Sequence, residues 1–495
     1  MINLTSFIEY HARTTPDRTA IVYDKKFISY SEFLGRAISL AGYLVQRGIQ
    51  PGDVIAVMMK NSSAFLEIAF AVSHIGAVFL PINFRLAEDE VNYICENSSA
   101  RLLFADAEFE ALDINVERVC LDSDEQASTR SLSDACAPAP MHTASGEDLF
   151  RLMYTSGTTD HPKGVMHSYN NFYWKSADHV VVLGLSSRSR LLVVGPLYHV
   201  GAFDLPGIAV LWQGGMLAIE RDFYPETVLS TIEEYQLNSA WLAPIMTSTI
   251  LGWKHRDRYD VSTMDWVIGG GERTPEDRIR EFSKYFTNAR YIDAYGLTES
   301  CSGDSFMVAG RELEKIGSTG QATPHVEIQI RDETGKRVPA HVDGEICLRG
   351  PKIFSAYWRD KEKTAASFFG DWFRTGDVGF LDSEGFLYLT DRKKDMIISG
   401  GENIASSELE RVIRLRPEVE DVAVVGRKDN KWGEVPVAIV VPVDGSELNL
   451  ESLVDHCKTK VAAFKVPKDL IIMDALPRNP SGKVLKRQLR DEINA

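Results

Sequence analysis

The feature that most restricts the fold of this chain is a regular exchange of short apolar runs with stretches of helical period, sustained from Ser31 to Asp293. Ser31–Arg47 carries a helical pattern that stops at Gly48. Asp53–Met59 reads as a strand, Asn61-Ser62 supply N-cap side chains for a second helix, and Val78-Phe79-Leu80-Pro81-Ile82 is the next apolar run. After the strand Leu149–Tyr154, further strands are expected at Leu191–Val194, Met216–Ile219, Ser239–Ala243, Asp265–Ile268 and Arg290–Asp293. Buried strands alternating with helices point to βαβ units and a mostly parallel sheet. Asp122–Glu147, rich in Ser, Ala, Pro and Asp, reads as a surface excursion.

Beyond about Lys315 the pattern changes. Val326–Arg331, Gly344–Arg349 and Gly385–Thr390 are short β runs punctuated by glycine, the mark of a β subdomain. From Arg392 a smaller α+β pattern follows, with helices at Ser406–Leu415 and Asn449–Lys460 and strands at Val422–Val425 and Val435–Val441. The expected fold is therefore α/β. Residues 1–391 form a large N-terminal domain of mixed and parallel sheets flanked by helices, with a β subdomain; residues 392–495 form a small α+β C-terminal domain. Charge follows the same division. Residues 392–495 hold 18 Lys+Arg against 17 Asp+Glu, so the net −16 of the chain resides in the larger part.

That acidity excludes several classes. A nucleic-acid binder needs a basic face to displace counterions, and a polybasic membrane anchor needs the same sign of charge. The most apolar stretch, Ile68–Ile82, is too short and too interrupted to be an integral membrane segment. The six cysteines form no CxxC pair and read as scattered reduced thiols, and the first residues lack a leader pattern, so a cytoplasmic enzyme is expected. HExxH, GxSxG and GxGxxG do not occur.

The densest local signal is Thr155-Ser156-Gly157-Thr158-Thr159-Asp160-His161-Pro162-Lys163-Gly164, placed between the strand Leu149–Tyr154 and a helix expected from His167. Four hydroxyls, flexible glycines and one lysine offer N–H and O–H donors and a point charge to phosphate oxygens. It is not a Walker A loop, because Pro162 stands at the second glycine position and Gly164 follows Lys163 where Ser or Thr belongs.

This loop resembles the nucleotide-phosphate loop of the adenylate-forming enzymes: acyl-CoA synthetases, peptide-synthetase adenylation domains and luciferases. In the order of that family the chain also carries Gly76-Ala77-Val78-Phe79-Leu80-Pro81, Pro196-Leu197-Tyr198-His199 and Tyr295-Gly296-Leu297-Thr298-Glu299. Trp372-Phe373-Arg374-Thr375-Gly376-Asp377, Asp391-Arg392-Lys393-Lys394-Asp395 and Asn479-Pro480-Ser481-Gly482-Lys483 complete the set, which spans nearly the whole length. Asp160, with His161 after it, departs from the family pattern, which has glycine there; a carboxylate beside triphosphate is expected to face solvent.

The resemblance implies a carboxylic acid–CoA ligase, AMP-forming, that activates a fatty or aromatic acid with ATP and passes it to coenzyme A. It implies ATP and Mg2+ at the site, with coenzyme A as a substrate. By the same resemblance Lys483 bridges carboxylate and α-phosphate, Thr298 donates to the α-phosphate, and Glu299 holds Mg2+. Thr155, Ser156, Gly157, Thr158, Thr159 and Lys163 hold the phosphates. Gly270, Gly271, Glu272, Asp293, Ala294, Tyr295 and Gly296 flank the adenine, and Asp377 with Arg392 takes the ribose. His199 stands as an aromatic gate beside the acyl carboxylate, and the acyl pocket draws on Val200, Gly201, Ala202, Trp241, Ala243, Gly270 and Cys301. Lys394 is the hinge about which the small domain turns as a mobile lid, bringing Gly400 and Gly401 to the pantetheine.

A freestanding adenylation enzyme that loads a carrier protein is the alternative. Amino-acid-selecting members place an aspartate in the pocket, at a position that falls near Val200 here, and Asp204 lies too far along. A regulatory ATP-binding protein without turnover fits less well, since Lys483, Glu299 and Asp377 are all present. A homodimer is one assembly compatible with this reading.

Overall fold

The computed structural model describes residues 3–121, 129, 131–132, 136–155, 162–270, 274, 276–392, 395–399, 402–429, 432–461, 465–478 and 484–495. The chain forms two compact units, Met1–Glu327 with Leu348–Phe373, and Ile328–Cys347 with Arg374–Ala495.

The first unit contains two large sheets. One has six strands in the order Arg118–Leu121, Ala100–Asp106, Val54–Met58, Val78–Pro81, Leu149–Thr155 and Lys163–Ser168, and every neighbouring pair is parallel except the last. All five residues of Val54–Met58 are buried, so the strand is apolar without alternation, as a parallel strand covered on both faces must be. The other sheet has nine strands. Its six central strands run parallel from Arg290–Tyr295 through Trp266–Gly270, Ser239–Trp241, Arg190–Val193 and Met216–Ile219 to Thr19–Tyr23.

The helices begin where the caps place them. Ser29 Oγ accepts from Glu32 N at the head of Tyr30–Gln46, and Ser62 Oγ from Phe65 N at the head of Ser63–His74. Tyr30–Gln46 ends before Gly48, whose φ of 76° suits a residue without Cβ. Every residue from Phe65 to His74 is buried, so the second helix lies inside the unit.

One expectation is corrected. Lys163–Ser168 is a strand, paired antiparallel with Leu149–Thr155, and the helix begins only at Tyr169. Ser168 and Asn171 cap that helix reciprocally, so its start is set by the cap. The phosphate loop therefore closes a hairpin instead of opening a helix. The described end of the excursion lies at the surface and is tied to the unit by backbone bonds: Ala139 N donates to the Ile38 carbonyl and His142 N to that of His74. A Cβ on Gly42 would fall 2.0 Å from the Ala137 carbonyl oxygen, so the helix must present glycine there.

In the second unit the long hairpin Val419–Asp429 and Gly433–Pro442 pairs with Ile397–Ser399 and, in parallel, with Asp469–Ile472. Val422, Val424, Ala438 and Val440 face one apolar cluster with Leu409, Ile413 and Leu453, while Ala423, Val425, Ile439 and Val441 face another with Leu489. Period-two alternation thus buries both faces, which is why the two strands read as unbroken apolar runs. Among the described residues no helix is long and apolar enough to cross a membrane.

Candidate active site

Three side chains from distant segments of the first unit meet in a closed triangle. Lys163 opens its strand directly opposite Thr155, so residues 156–162 join the two ends. Its Nζ lies 3.2 Å from Glu299 Oε1 and donates to Tyr357 Oη at 2.7 Å; Tyr357 Oη donates to the same carboxylate oxygen at 2.8 Å. Burial first, and then the charge of Glu299, push the Tyr357 phenol upward, so it remains a donor. Nearby, Thr155 Oγ1 is buried with no hydrogen-bond partner among the described residues.

Glu299 sits on the single helical turn Thr298–Ser300. The chain then takes φ values of 55°, 69° and 69° at Cys301, Ser302 and Gly303. The first two lie in the left-handed region without being glycine, at a cost of about 1–2 kcal/mol each, and the surroundings hold them there. Ser300 Oγ accepts from Leu297 N and donates to Asp304, and the buried Asp304 carboxylate pairs with the buried Lys352 ammonium at 3.1 Å. Phe354 N donates to the Glu299 carbonyl at 2.7 Å. His167 Nε2 lies 2.7 Å from the Thr298 carbonyl oxygen.

On the expected nucleotide side, Gly270 and Ala294 are register partners at the carboxyl ends of adjacent parallel strands, with Asp293 opposite Gly269. A Cβ on Gly270 would lie 3.0 Å from the Ala294 carbonyl oxygen. Tyr295 ends the strand and Gly296 leads into the Thr298 turn. Carboxyl ends of parallel strands are where open α/β sheets receive ligands.

On the expected acyl side, His199 caps the short helix Val200–Ala202, its Nδ1 accepting from Gly201 N at 3.0 Å. Its ring stacks on Trp241 with centroids 6.4 Å apart at 28°. A Cβ on Gly201 would fall 2.4 Å from the Trp241 ring, and one on Gly195 2.2 Å from it, so two glycines make room for one indole. Ala243 stands immediately before the helix Pro244–Gly252, at its N-cap position. Cys301 is wholly buried among Arg151, Lys175, Asp204 and Lys352, with burial pushing its thiol up to about 12. Asp204 is wholly buried too, held by Arg151 and Lys175.

In the second unit Asp377 is buried and is the backbone register partner of Arg392 across the hairpin of Trp372–Leu381 and Leu387–Arg392. Ser156, Gly157, Thr158, Thr159, Asp160, His161, Gly271, Glu272, Lys394, Gly400, Gly401 and Lys483 lie outside the described residues.

Sequence reasoning missed Tyr357, Arg151 and His167. For Tyr357 there is no local signal, since it comes from a loop distant in sequence. For Arg151 there is one: an arginine inside the apolar run Leu149-Phe150-Arg151-Leu152-Met153 has to find a buried partner or break the strand.

Against this geometry the comparisons with known proteins are direct. Residues 8–358 match the AMP-binding enzyme family model, and residues 408–483 match that of the AMP-binding enzyme C-terminal domain. The chain belongs to the AMP-binding enzyme family. It is 34% identical to a feruloyl-CoA synthase of an Amycolatopsis species, over 97% of this chain and 96% of the relative. It is also 34% identical to a long-chain-fatty-acid–CoA ligase of Mycobacterium tuberculosis, over 100% and 99%. Among solved structures, the o-succinylbenzoate CoA synthetase of Bacillus subtilis, in complex with its acyl-adenylate intermediate, superposes with a TM-score of 0.90 at 28% identity, covering 99% of this chain and 98% of the other. Within its family the chain is an AMP-forming acid–CoA ligase, with ATP, Mg2+ and coenzyme A as the small molecules of its reaction.

Proposed function

We propose that the acid activated by this enzyme carries an uncharged acyl group, aromatic or aliphatic. The fate of Asp204 is the observation that carries this reading. It is the one acidic residue in the segment His199–Gly207, and its carboxylate is engaged by Arg151 and Lys175 inside the protein. A substrate ammonium would find no anion there, whereas His199, Trp241 and the glycines beside them offer flat and apolar surface.

The residues around the triangle fit a triphosphate with its metal. Lys163 and Glu299 neutralise one another; with a triphosphate bound, Lys163 would hold a phosphate oxygen and Glu299 would hold Mg2+, an ion that binds few protein oxygens. Bound Mg2+ neutralises charge on the phosphates. Tyr357 keeps donating to Glu299 throughout, and the orphaned Thr155 hydroxyl supplies a further donor. Thr298 donates to the α-phosphate, Gly270, Asp293, Ala294, Tyr295 and Gly296 line the base, and Asp377 with Arg392 accepts and steadies the ribose. Two anions, acid carboxylate and triphosphate, must be held in line, and Lys483 is the cation assigned to both. We assign residues 1–391 to binding of ATP and acid, residues 392–495 to a mobile lid turning at Lys394, and Gly400 with Gly401 to the pantetheine arm. All six cysteines stand as thiols outside any disulfide, as in a reducing compartment, which supports a cytoplasmic location.

The test is Lys483→Ala with the two half-reactions measured separately. Adenylation, read as pyrophosphate release, should collapse while thioester formation from supplied acyl-adenylate largely survives. Equal loss of both steps would contradict these roles.

A further inference from the structure

A continuous run of buried hydrogen bonds connects the segment that follows His199 to the turn that carries Thr298 and Glu299. Asp204 lies in Phe203–Gly207, and its Oδ1 and Oδ2 accept from Arg151 Nη1 at 3.0 Å and Nη2 at 2.8 Å. Arg151 Nε and Nη2 in turn approach His167 Nδ1 at 3.2 and 3.0 Å. His167 Nε2 lies 2.7 Å from the Thr298 carbonyl oxygen. Arg151 and His167 are register partners on neighbouring antiparallel strands, which brings guanidinium and imidazole side by side.

The partners fix the protonation. A guanidinium only donates, so Nδ1 of His167 accepts, its ring proton is on Nε2, and Nε2 donates to Thr298. Burial, and then Arg151, hold the imidazole well below its ordinary pKa and therefore neutral.

The geometry is also fixed from the sides. The Arg151 guanidinium lies 5.5–5.7 Å from the ring centroids of Phe150, Phe172 and Phe203. Lys175 Nζ donates to the Asp204 carbonyl at 3.0 Å, and His179 Nδ1 lies 3.0 Å from the same oxygen. Arg151 is 1% exposed, and His167, Lys175, His179 and Asp204 are 0% exposed.

Stability does not account for this cluster. Charges enclosed in a core are costly to desolvate, and well-packed apolar side chains of similar volume often serve as well or better. Apolar residues in place of the whole cluster would continue the apolar run around Arg151. What apolar packing does not supply is direction, and each of these bonds has one.

We propose that Asp204, Arg151 and His167 are positioning residues that hold the Thr298 carbonyl, and with it the Thr298–Glu299 turn, at a set place relative to the acyl-side segment beginning at His199. The inference rests on the proposed roles of His199, Thr298 and Glu299. Its consequence is that the acid and the ATP phosphates are brought into line by one rigid run of bonds within the first unit.

The experiment compares wild type with His167→Asn and His167→Gln. Asn keeps an acceptor for Arg151 and removes the donor to Thr298; Gln places an amide donor near the lost Nε2. For His167→Asn we expect the rate of pyrophosphate release to fall about 10- to 100-fold, with KM for the acid and thioester formation from supplied acyl-adenylate each within about 3-fold of wild type. His167→Gln should recover most of the adenylation rate. Should His167→Asn fail to fold, Arg151→Met combined with Asp204→Asn, which removes both charges together, is expected to give the same separation of half-reactions. Equal loss of both half-reactions, or an unchanged adenylation rate, would overturn the proposal. Mg–ATP affinity, measured by calorimetry without any acid, should also weaken in His167→Asn, and an unchanged affinity counts against the proposal. A wild type that binds Mg–ATP but turns over none of the acids offered would sink the substrate reading alone, and the calorimetric comparison would still decide the positioning role.

Discussion

The Lys163 ammonium and the Glu299 carboxylate lie 3.2 Å apart, and the Tyr357 hydroxyl bonds to both. The cation and the anion assigned to phosphate and metal are thus already neutralised by one another. Under the proposed roles, ligand entry would exchange one set of charge-assisted bonds for another.

Glu299→Gln separates metal binding from architecture. Glutamine still accepts from Tyr357 and no longer carries charge, so folding stability should change by no more than about 1 kcal/mol. Adenylation should fall by about 100- to 1,000-fold, since a group aimed at developing charge is lost. Pyrophosphate release and urea unfolding on the same preparation check both halves of this expectation.

Tyr357→Phe removes only the bridging hydroxyl and leaves Lys163 and Glu299 paired. We expect a stability loss of about 1 kcal/mol and an adenylation rate reduced by about tenfold. A variant with full activity would show that the triangle is closed without functional need for the phenol.

Trp241 closes the space between Gly195 and Gly201. Trp241→Ala should move preference toward bulkier acids, by about tenfold or more in relative kcat/KM, and should cost about 3–5 kcal/mol in stability. Competition between a short and a long member of one acid series reads the shift. An unchanged ranking would show that the indole does not bound the acyl group.

His167 and His179 are wholly buried, and burial is the first cause that holds both well below the ordinary imidazole value of 6.5. Below that pH the unfolded chain takes up protons that the folded chain refuses. Stability should therefore be fully present above pH 6.5 and fall as the pH drops beneath it, by about 1.4 kcal/mol per pH unit for each histidine until its folded pKa is reached. Urea midpoints between about pH 7 and pH 5 test this, and His167→Asn should flatten the slope by one proton.

The large parallel sheets were legible because strands such as Val54–Met58 are buried on both faces and carry no alternation to confuse with a helix. The helix start at Ser62 was legible through its cap, which acts locally, whereas the Ser29 cap starts the first helix one residue before the expected Ser31. The strand Lys163–Ser168 was not, because its pairing with Leu149–Thr155 is made across the loop and leaves no mark of its own period. Thr155, Lys163, Thr298 and Glu299 could be named from motif order. Tyr357 joined them only through tertiary contact. Arg151 stands out locally as an arginine inside an apolar run, but its partner Asp204 comes from a distant segment, and His167 was expected to open a helix. Which partner meets a buried side chain is decided by what packs against its strand, and no window of sequence contains that.

The most direct test of the whole account measures AMP formed and coenzyme A thiol lost, in one reaction, across a panel of aromatic, aliphatic and amino acids. The account expects AMP and thioester in equal amounts with an uncharged aromatic or aliphatic acid, and neither with amino acids. AMP formed with an amino acid while coenzyme A stays unused would contradict it.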